Sequence, residues 1–175
     1  MNFAFVFPGQ GSQSVGMMAA YGESAVIRQA FAEASEALGQ DLWQMVAEGP
    51  AEVLAQTVNT QPLMLTAGVA VYREWIARGG AAPSLVAGHS LGEYSALVAA
   101  GALDFAEAVK LVRLRAQAMQ EAVPQGEGAM AALLGLDEPA AAEACAEAAQ
   151  GDVVSAANLN SPGQIVIAGS KAAVE

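Results

Sequence analysis

Apolar and polar positions follow two rhythms along this chain, and the switches between them mark out its elements. Phe3-Ala4-Phe5-Val6-Phe7 is an aromatic and β-branched run stopped by Pro8-Gly9, which predicts a buried first strand. From Glu23 to Leu38, Val26, Ile27, Ala30, Phe31, Ala34 and Leu38 fall on one helical face, and Gly39 ends it. Asp41 caps a short helix over Leu42 to Ala47, and Pro50 starts another through Leu54. Pro62 is expected to open a longer helix that carries Leu63, Ala67, Ala70, Val71 and Trp75 on one face and stops at Gly79-Gly80. Leu85 to Ala87 reads as a second buried strand, and the residues after Ser90 as a helix closed by Gly101. Asp104 and Glu107 make a capping-box-like start to a helix from Phe105 to about Val123, with the stripe Phe105, Ala108, Val112, Ala116 and Met119.

From Gly128 the composition changes. Ala129 to Leu136 predicts a strand, Pro139 to Ala149 a helix, and Val153 to Ala157 and Gln164 to Ala168 two more strands joined by a hairpin loop over Asn158 to Gly163. Ser170 begins a second helix. A β-α-β-β-α series lacking its final strand is an unfinished ferredoxin-like unit. A missing strand leaves an open sheet edge, so the chain is expected to be part of a longer protein. The expected division is 1–124 and 125–175.

Composition narrows the class. Hydrophobic residues make up 54% of the 175 and charged residues 14%, which predicts a packed globular chain and argues against disorder. The apolar stretches are too interrupted for a membrane span, and the N-terminus carries no basic leader. The single cysteine, Cys145, excludes an intrachain disulfide and fits a reducing compartment, so a cytoplasmic location is expected. It reads as a small apolar residue on an Ala-rich helix. With 7 basic against 18 acidic residues the net charge is −11, which argues against nucleic acid as a partner. An acidic ligand must find a local basic site. The acidic residues and the one histidine show no ligand spacing, so neither metal nor redox cofactor is expected.

The chemistry centres on Gly88-His89-Ser90-Leu91-Gly92, a Gly-x-Ser-x-Gly pattern between a predicted strand and a predicted helix. A sharp turn there leaves no room for side chains at Gly88 and Gly92 and forces Ser90 outward. The N–H of Leu91 and the positive end of the helix then face the oxygen that gains charge when Ser90 attacks a carbonyl. His89, the sole histidine, stands next to Ser90. Adjacent residues at a tight turn diverge, so it reads as packing beside the elbow more readily than as the base. Gly9-Gln10-Gly11-Ser12-Gln13 admits two readings, an anion-binding loop or a plain turn; Walker and dinucleotide spacings are both absent. On a helical wheel Arg115 falls about 40–60° from Val112 and Met119, while Arg113 points away from the stripe. A guanidinium near a buried face needs an anionic partner.

These stretches resemble the first part of the malonyl-CoA:acyl carrier protein transacylases of bacterial fatty acid synthesis. The resemblance rests on Phe5 to Gln13, Asn59-Thr60-Gln61-Pro62, Gly88 to Tyr94, the helix with Arg113 and Arg115, and Asn158 to Gln164, in order along the whole chain. It implies an α/β fold, an α/β-hydrolase-like large domain with an inserted ferredoxin-like α+β subdomain, both incomplete in this chain. It implies Ser90 as the nucleophile that takes the malonyl group as an ester, the N–H groups of Gln10 and Leu91 as the oxyanion hole, and Arg115 as the holder of the malonyl carboxylate. Gln61, Met119, Met130 and Asn158 are implied as cleft lining, with core packing the competing reading for the two methionines. The implied partners are malonyl-CoA, acyl carrier protein and the remainder of the same protein, without a membrane. The family's catalytic histidine and the residue orienting it lie downstream of the insertion, beyond Glu175. Carrier proteins are acidic, so Lys110 and Arg113, one turn apart, are candidates for docking, against a plain solvated helix face. A lipase- or thioesterase-type serine hydrolase, or a non-catalytic binding fragment, are the rival readings.

Overall fold

The computed structural model of the chain describes residues 2–124 and 126–175. They form a mixed α/β structure that divides into two units, Met1–Gln120 and Glu121–Glu175. The expected boundary at 124/125 turns on Gln125, which lies outside the described residues.

In the first unit β1 (Ala4–Phe7) and β2 (Leu85–Gly88) pair in parallel, from Ala4 opposite Leu85 to Phe7 opposite Gly88. Parallel strands need a crossover. It consists of α1 (Ala25–Leu38), α2 (Leu42–Glu48), α3 (Ala51–Leu54) and α4 (Thr57–Ala77). Then α5 (Leu91–Ala99) leaves the end of β2, and α6 (Phe105–Glu121) follows, ending short of Val123. Local chemistry sets the ends. Ser24 lies outside α1 and accepts from the N–H of Ile27, so the helix begins later than its apolar face suggests, and Gly39 ends it in a left-handed conformation. Asp41 caps α2 and Asp104 caps α6, accepting from the N–H groups of Gln44 at 2.8 Å and Glu107 at 3.0 Å.

Helix α4 is buried on every side from Asn59 to Ala67, although Asn59, Thr60, Gln61 and Thr66 are polar. Pro62 was expected to open it but sits inside it, where the absent N–H leaves the carbonyl of Val58 without its helical partner. Side chains fix the true start. Thr60 Oγ1 donates to the carbonyls of Leu54 and Gln56, and Asn59 Nδ2 donates to that of Val53 at 3.0 Å. One buried core takes in Leu63, Leu65 and Val69 of α4 with Ile27 and Phe31 of α1, Leu42 and Val46 of α2, Leu91 of α5, and Val109 and Val112 of α6. Burying each such side chain contributes about 1.5–3 kcal/mol, which outweighs helix propensity.

The two strands are half-buried, not buried as expected. Period two turns Phe5 and Phe7 toward Tyr72, with ring centroids 5.4 and 6.2 Å away, and leaves Val6 and Leu85 on the other face, 71% and 70% exposed. Trp75 is likewise no core residue. It meets Phe3 and Phe5 at the rim, donates its indole N–H to Ala81 at 2.9 Å, and is 43% exposed.

The second unit comprises β3 (Gly128–Leu134), α7 (Glu138–Ala149), β4 (Val154–Ser161), β5 (Gln164–Ser170) and α8 (Lys171–Val174). The sheet is antiparallel in the order β3-β5-β4. Cys145 of α7 is buried with Val154, Ile167 and Ala173. The expected loop over Asn158 to Gly163 is mostly strand. Only Pro162 and Gly163 turn the chain, Gly163 with φ 77°, and register shifts after Ala156 and Leu159 let β4 carry its polar residues as bulges. Among the described residues no helix is long and apolar enough to cross a membrane.

A half-buried polar contact joins the cap of α1 to α4 and was not expected from the periodicity. Ser24 Oγ donates to Glu74 Oε2 at 2.7 Å, and Arg78 Nε donates to Oε1 at 2.7 Å. The Ser24 hydroxyl first, and Arg78 second, hold the Glu74 carboxyl below its ordinary value of 4.5. A depressed carboxyl stabilises the fold fully above that ordinary value and ceases to do so as pH falls through the lowered one. Glu74→Gln is therefore expected to flatten the acid side of the Tm–pH profile below pH 4.5, a result overturned by a slope equal to the parent's.

Candidate active site

The site is built where β2 turns into α5. Gly88 and Gly92 touch backbone to backbone: a Cβ on Gly88 would stand 2.1 Å from the Gly92 carbonyl group. A Cβ on Gly92 would stand 2.4 Å from the carbonyl oxygen of Phe7, at the end of β1. Neither contact can be relieved by a rotamer, since the obstructing atoms are backbone. With the helix held this close to both strands, the residue between the glycines is driven into a conformation that side chains rarely adopt. Ser90 has φ 52° and ψ −112°, its side chain makes no capping bond to α5, and it is exposed.

The Pro8-Gly9 turn lies against this elbow, where a Cβ on Gly9 would come 3.3 Å from the carbonyl oxygen of His89. The next residue, Gln10, donates its side-chain amide to Thr57 Oγ1 at 3.1 Å, tying the loop to the start of α4. Within the loop the N–H of Gly11 goes to Gln13 Oε1 at 2.8 Å. Leu91, 1% exposed, is the first residue of α5, whose leading N–H groups have no partner inside the helix. His89 is exposed rather than packed, and among the described residues no hydrogen bond joins it to Ser90.

Ser90 Oγ is instead met by a cation. Arg115 of α6 donates through Nη2 to Ser90 Oγ at 2.8 Å and through Nη1 to Gln61 Oε1 at 2.8 Å. Gln61, fully buried on α4, donates its amide to Met119 Sδ at 3.4 Å. Beneath the guanidinium lies Tyr94, whose ring centroid is 5.7 Å from the Arg115 carbon. The structure thus brings Ser90, Arg115, Gln61 and Met119 together. Met119 is 51% exposed at the edge of this group, so its place on the α6 stripe does not make it a core residue. Met130, 65% exposed on β3, and Asn158, beside a bulge in β4, belong to the second unit. Tyr94 was missed by sequence reasoning; the i, i+4 spacing from Ser90 to Tyr94 on α5 was the signal.

Charge sets Arg115 apart. Five of the seven basic side chains lie against carboxylates: Arg28 on Glu23, Arg73 on Glu33, Arg78 on Glu74, Lys110 on Glu107 and Lys171 on Glu175. Among the described residues Arg113 and Arg115 have no such pair. Arg113 does not form the exposed basic pair expected with Lys110. It is half-buried, donates to Gln40 Oε1, and burial pushes its guanidinium below the usual arginine range. Lys110 is held by Glu107 at 2.8 Å, which raises its own value. Among the described residues no three of His, Cys, Asp and Glu are grouped to hold a metal ion.

This serine, forced out of a strand–helix turn with a cation on its hydroxyl, lies in a chain that belongs to the acyl transferase domain family, whose sequence model matches residues 4–175. It is 63% identical over 174 residues to the malonyl CoA-acyl carrier protein transacylase of Escherichia coli K12, covering 99% of this chain and 56% of that protein. Among solved structures it matches an acyl-carrier-protein S-malonyltransferase from Burkholderia pseudomallei 1710b, with TM-score 0.92 and 62% identity over 99% of this chain and 56% of that one. It also matches a malonyl-transacylase solved in complex with its type II PKS acyl-carrier protein, with TM-score 0.93 and 58% identity over 99% and 57% of the two chains. The chain thus spans 56% of the length of the curated relative.

The elbow geometry carries its own test. Ser90→Gly removes a side chain from a strained conformation and is expected to raise stability above that of Ser90→Ala by about 1 kcal/mol. Gly88→Ala should lower it by about 3 kcal/mol or more, because backbone must move. Urea unfolding of the three variants checks the order, and equal midpoints for Ser90→Gly and Ser90→Ala would contradict the strain.

Proposed function

We propose that the full-length protein to which this chain belongs transfers a malonyl group from malonyl-CoA to the phosphopantetheine thiol of acyl carrier protein. The observation that carries this reading is the Arg115 guanidinium 2.8 Å from Ser90 Oγ, anchored on a neutral amide and free of carboxylates. Such a cation suits an acyl group that brings its own carboxylate, and a two-point Arg–carboxylate pair is strong and directional. A neutral acetyl group would leave the guanidinium without that partner, which supplies the selectivity. The relatives are transacylases, and a lipase- or thioesterase-type hydrolase has no use for a cation on its nucleophile.

In the first half-reaction Ser90 Oγ attacks the thioester carbonyl carbon while its proton passes to a base. The resemblance puts that base on a histidine later in sequence than Glu175. Charge gathers on the carbonyl oxygen, facing the N–H groups of Leu91 and Gln10 as the oxyanion hole. The C–S bond then breaks, CoA leaves as its thiol after taking a proton, and a malonyl-serine ester remains. In the second half the carrier thiol gives its proton to the same base and attacks the ester carbonyl carbon, the bond from that carbon to Ser90 Oγ breaks, Oγ takes the proton back, and the malonyl group leaves as the carrier's thioester. The fold class we propose is an α/β-hydrolase-like domain with a ferredoxin-like insertion, divided near 124/125, and Gln61 and Met119 line the site around Ser90.

Intact mass measurement of the full-length protein after brief incubation with malonyl-CoA tests this. One malonyl adduct is expected, absent in Ser90→Ala and weak with acetyl-CoA. Arg115→Ala should lower malonyl loading about 10–100-fold, the worth of a charge-assisted pair. An adduct that survives in Ser90→Ala, or equal loading by acetyl-CoA, would overturn the proposal.

A further inference from the structure

Five of the seven cations in this chain are neutralised by carboxylates within 4 Å, yet Arg115 is oriented by an uncharged group. Gln61 has no exposed surface, and a buried amide must satisfy both ends. Its Oε1 accepts from Arg115 Nη1 at 2.8 Å and its Nε2 donates to Met119 Sδ at 3.4 Å. The two ends are not interchangeable. Turned over, the amide would aim a donor at a guanidinium that has only donors, while the thioether would face an oxygen it cannot donate to. The sulfur, an acceptor only, therefore selects the orientation that Arg115 needs.

From this relay we infer that Gln61 and Met119 are positioning residues that set the preference for carboxylated acyl groups: Gln61 aims the guanidinium without neutralising it, and Met119 holds the Gln61 amide the right way round. This rests on the transfer reading given above. A neutral acceptor fixes one nitrogen of Arg115 and leaves its full charge for an incoming carboxylate. A carboxylate in the same place would fix it better and satisfy it, closing the site to a second anion. Orientation and stability thus pull apart at this position, which distinguishes a positioning role from a purely structural one.

Gln61→Glu has nearly the same shape and decides the matter in the full-length protein. Expected are a Tm equal to or above the parent's, a KM for malonyl-CoA raised at least tenfold, and a malonyl-to-acetyl loading ratio reduced by a similar factor. Met119→Leu, which keeps the volume and removes the acceptor, should reduce that ratio about threefold, and should add little once Gln61 has been changed. If Gln61→Glu does not fold, the Met119→Leu ratio decides alone. A parent that loads malonyl while both variants keep its KM and ratio overturns this inference and leaves the transfer reading standing. A fall in Tm that tracks the fall in loading, with an unchanged ratio, also overturns it. A parent that takes no malonyl group overturns the transfer reading and this inference with it.

Discussion

The backbone contact between Gly88 and Gly92 is the constraint on which the rest of the site depends. Two chain segments approach within the space of a missing Cβ, and a third, the end of β1, closes on the same helix at Gly92. That triple approach sets the distance between sheet and helix, and the distance forces the turn. Ser90 makes that turn with φ 52° and stays exposed. The strain in its backbone, of about 1–3 kcal/mol for such a conformation, is sustained by packing elsewhere, chiefly α4 and the residues locked around it. The buried helix also delivers Gln61, so the element that stabilises the unit and the element that aims the guanidinium are the same.

Electrostatics then separates one cation from the others. In a chain with net charge −11, most basic side chains are taken up by acidic neighbours. Arg115 escapes because its surroundings supply an amide, a thioether and an aromatic ring in place of carboxylates. Acidic character elsewhere gives that single charge its contrast. Arg113, two residues earlier, escapes pairing in a different way, by sinking against Gln40, and so offers little to solvent.

Much of this was legible in the sequence. The Gly-x-Ser-x-Gly spacing between a strand and a helix located the elbow, because its glycines answer to a local clash that any such turn meets. The capping residues Asp41 and Asp104 and the stop at Gly39 were equally local. What failed depended on contacts far apart in sequence. Pro62 reads as a helix start until Thr60 and Asn59 are seen to bond back to residues 53–56. Asn158 to Ser161 read as a loop because polar residues are rare in regular strands, and bulges accommodate them. Val6 and Leu85 read as buried because a short apolar run does not say how many of its faces are covered. The pairing of Gln61 with Met119, fifty-eight positions apart, leaves no trace in either neighbourhood.

Ser90 occupies the position from which a serine ordinarily ties down the first turn of a helix, but its oxygen makes no such bond. The opening turn of α5 is therefore held by packing from outside and by two backbone bonds, from the N–H of Gly92 to the His89 carbonyl at 2.9 Å and from the N–H of Glu93 to the Ser90 carbonyl at 3.2 Å, without a side-chain cap. Such a turn opens more readily than the core beneath it. Warming should accordingly loosen the elbow while the α1–α4 packing is still intact, so that the contact between Ser90 Oγ and Arg115 is lost before the fold is.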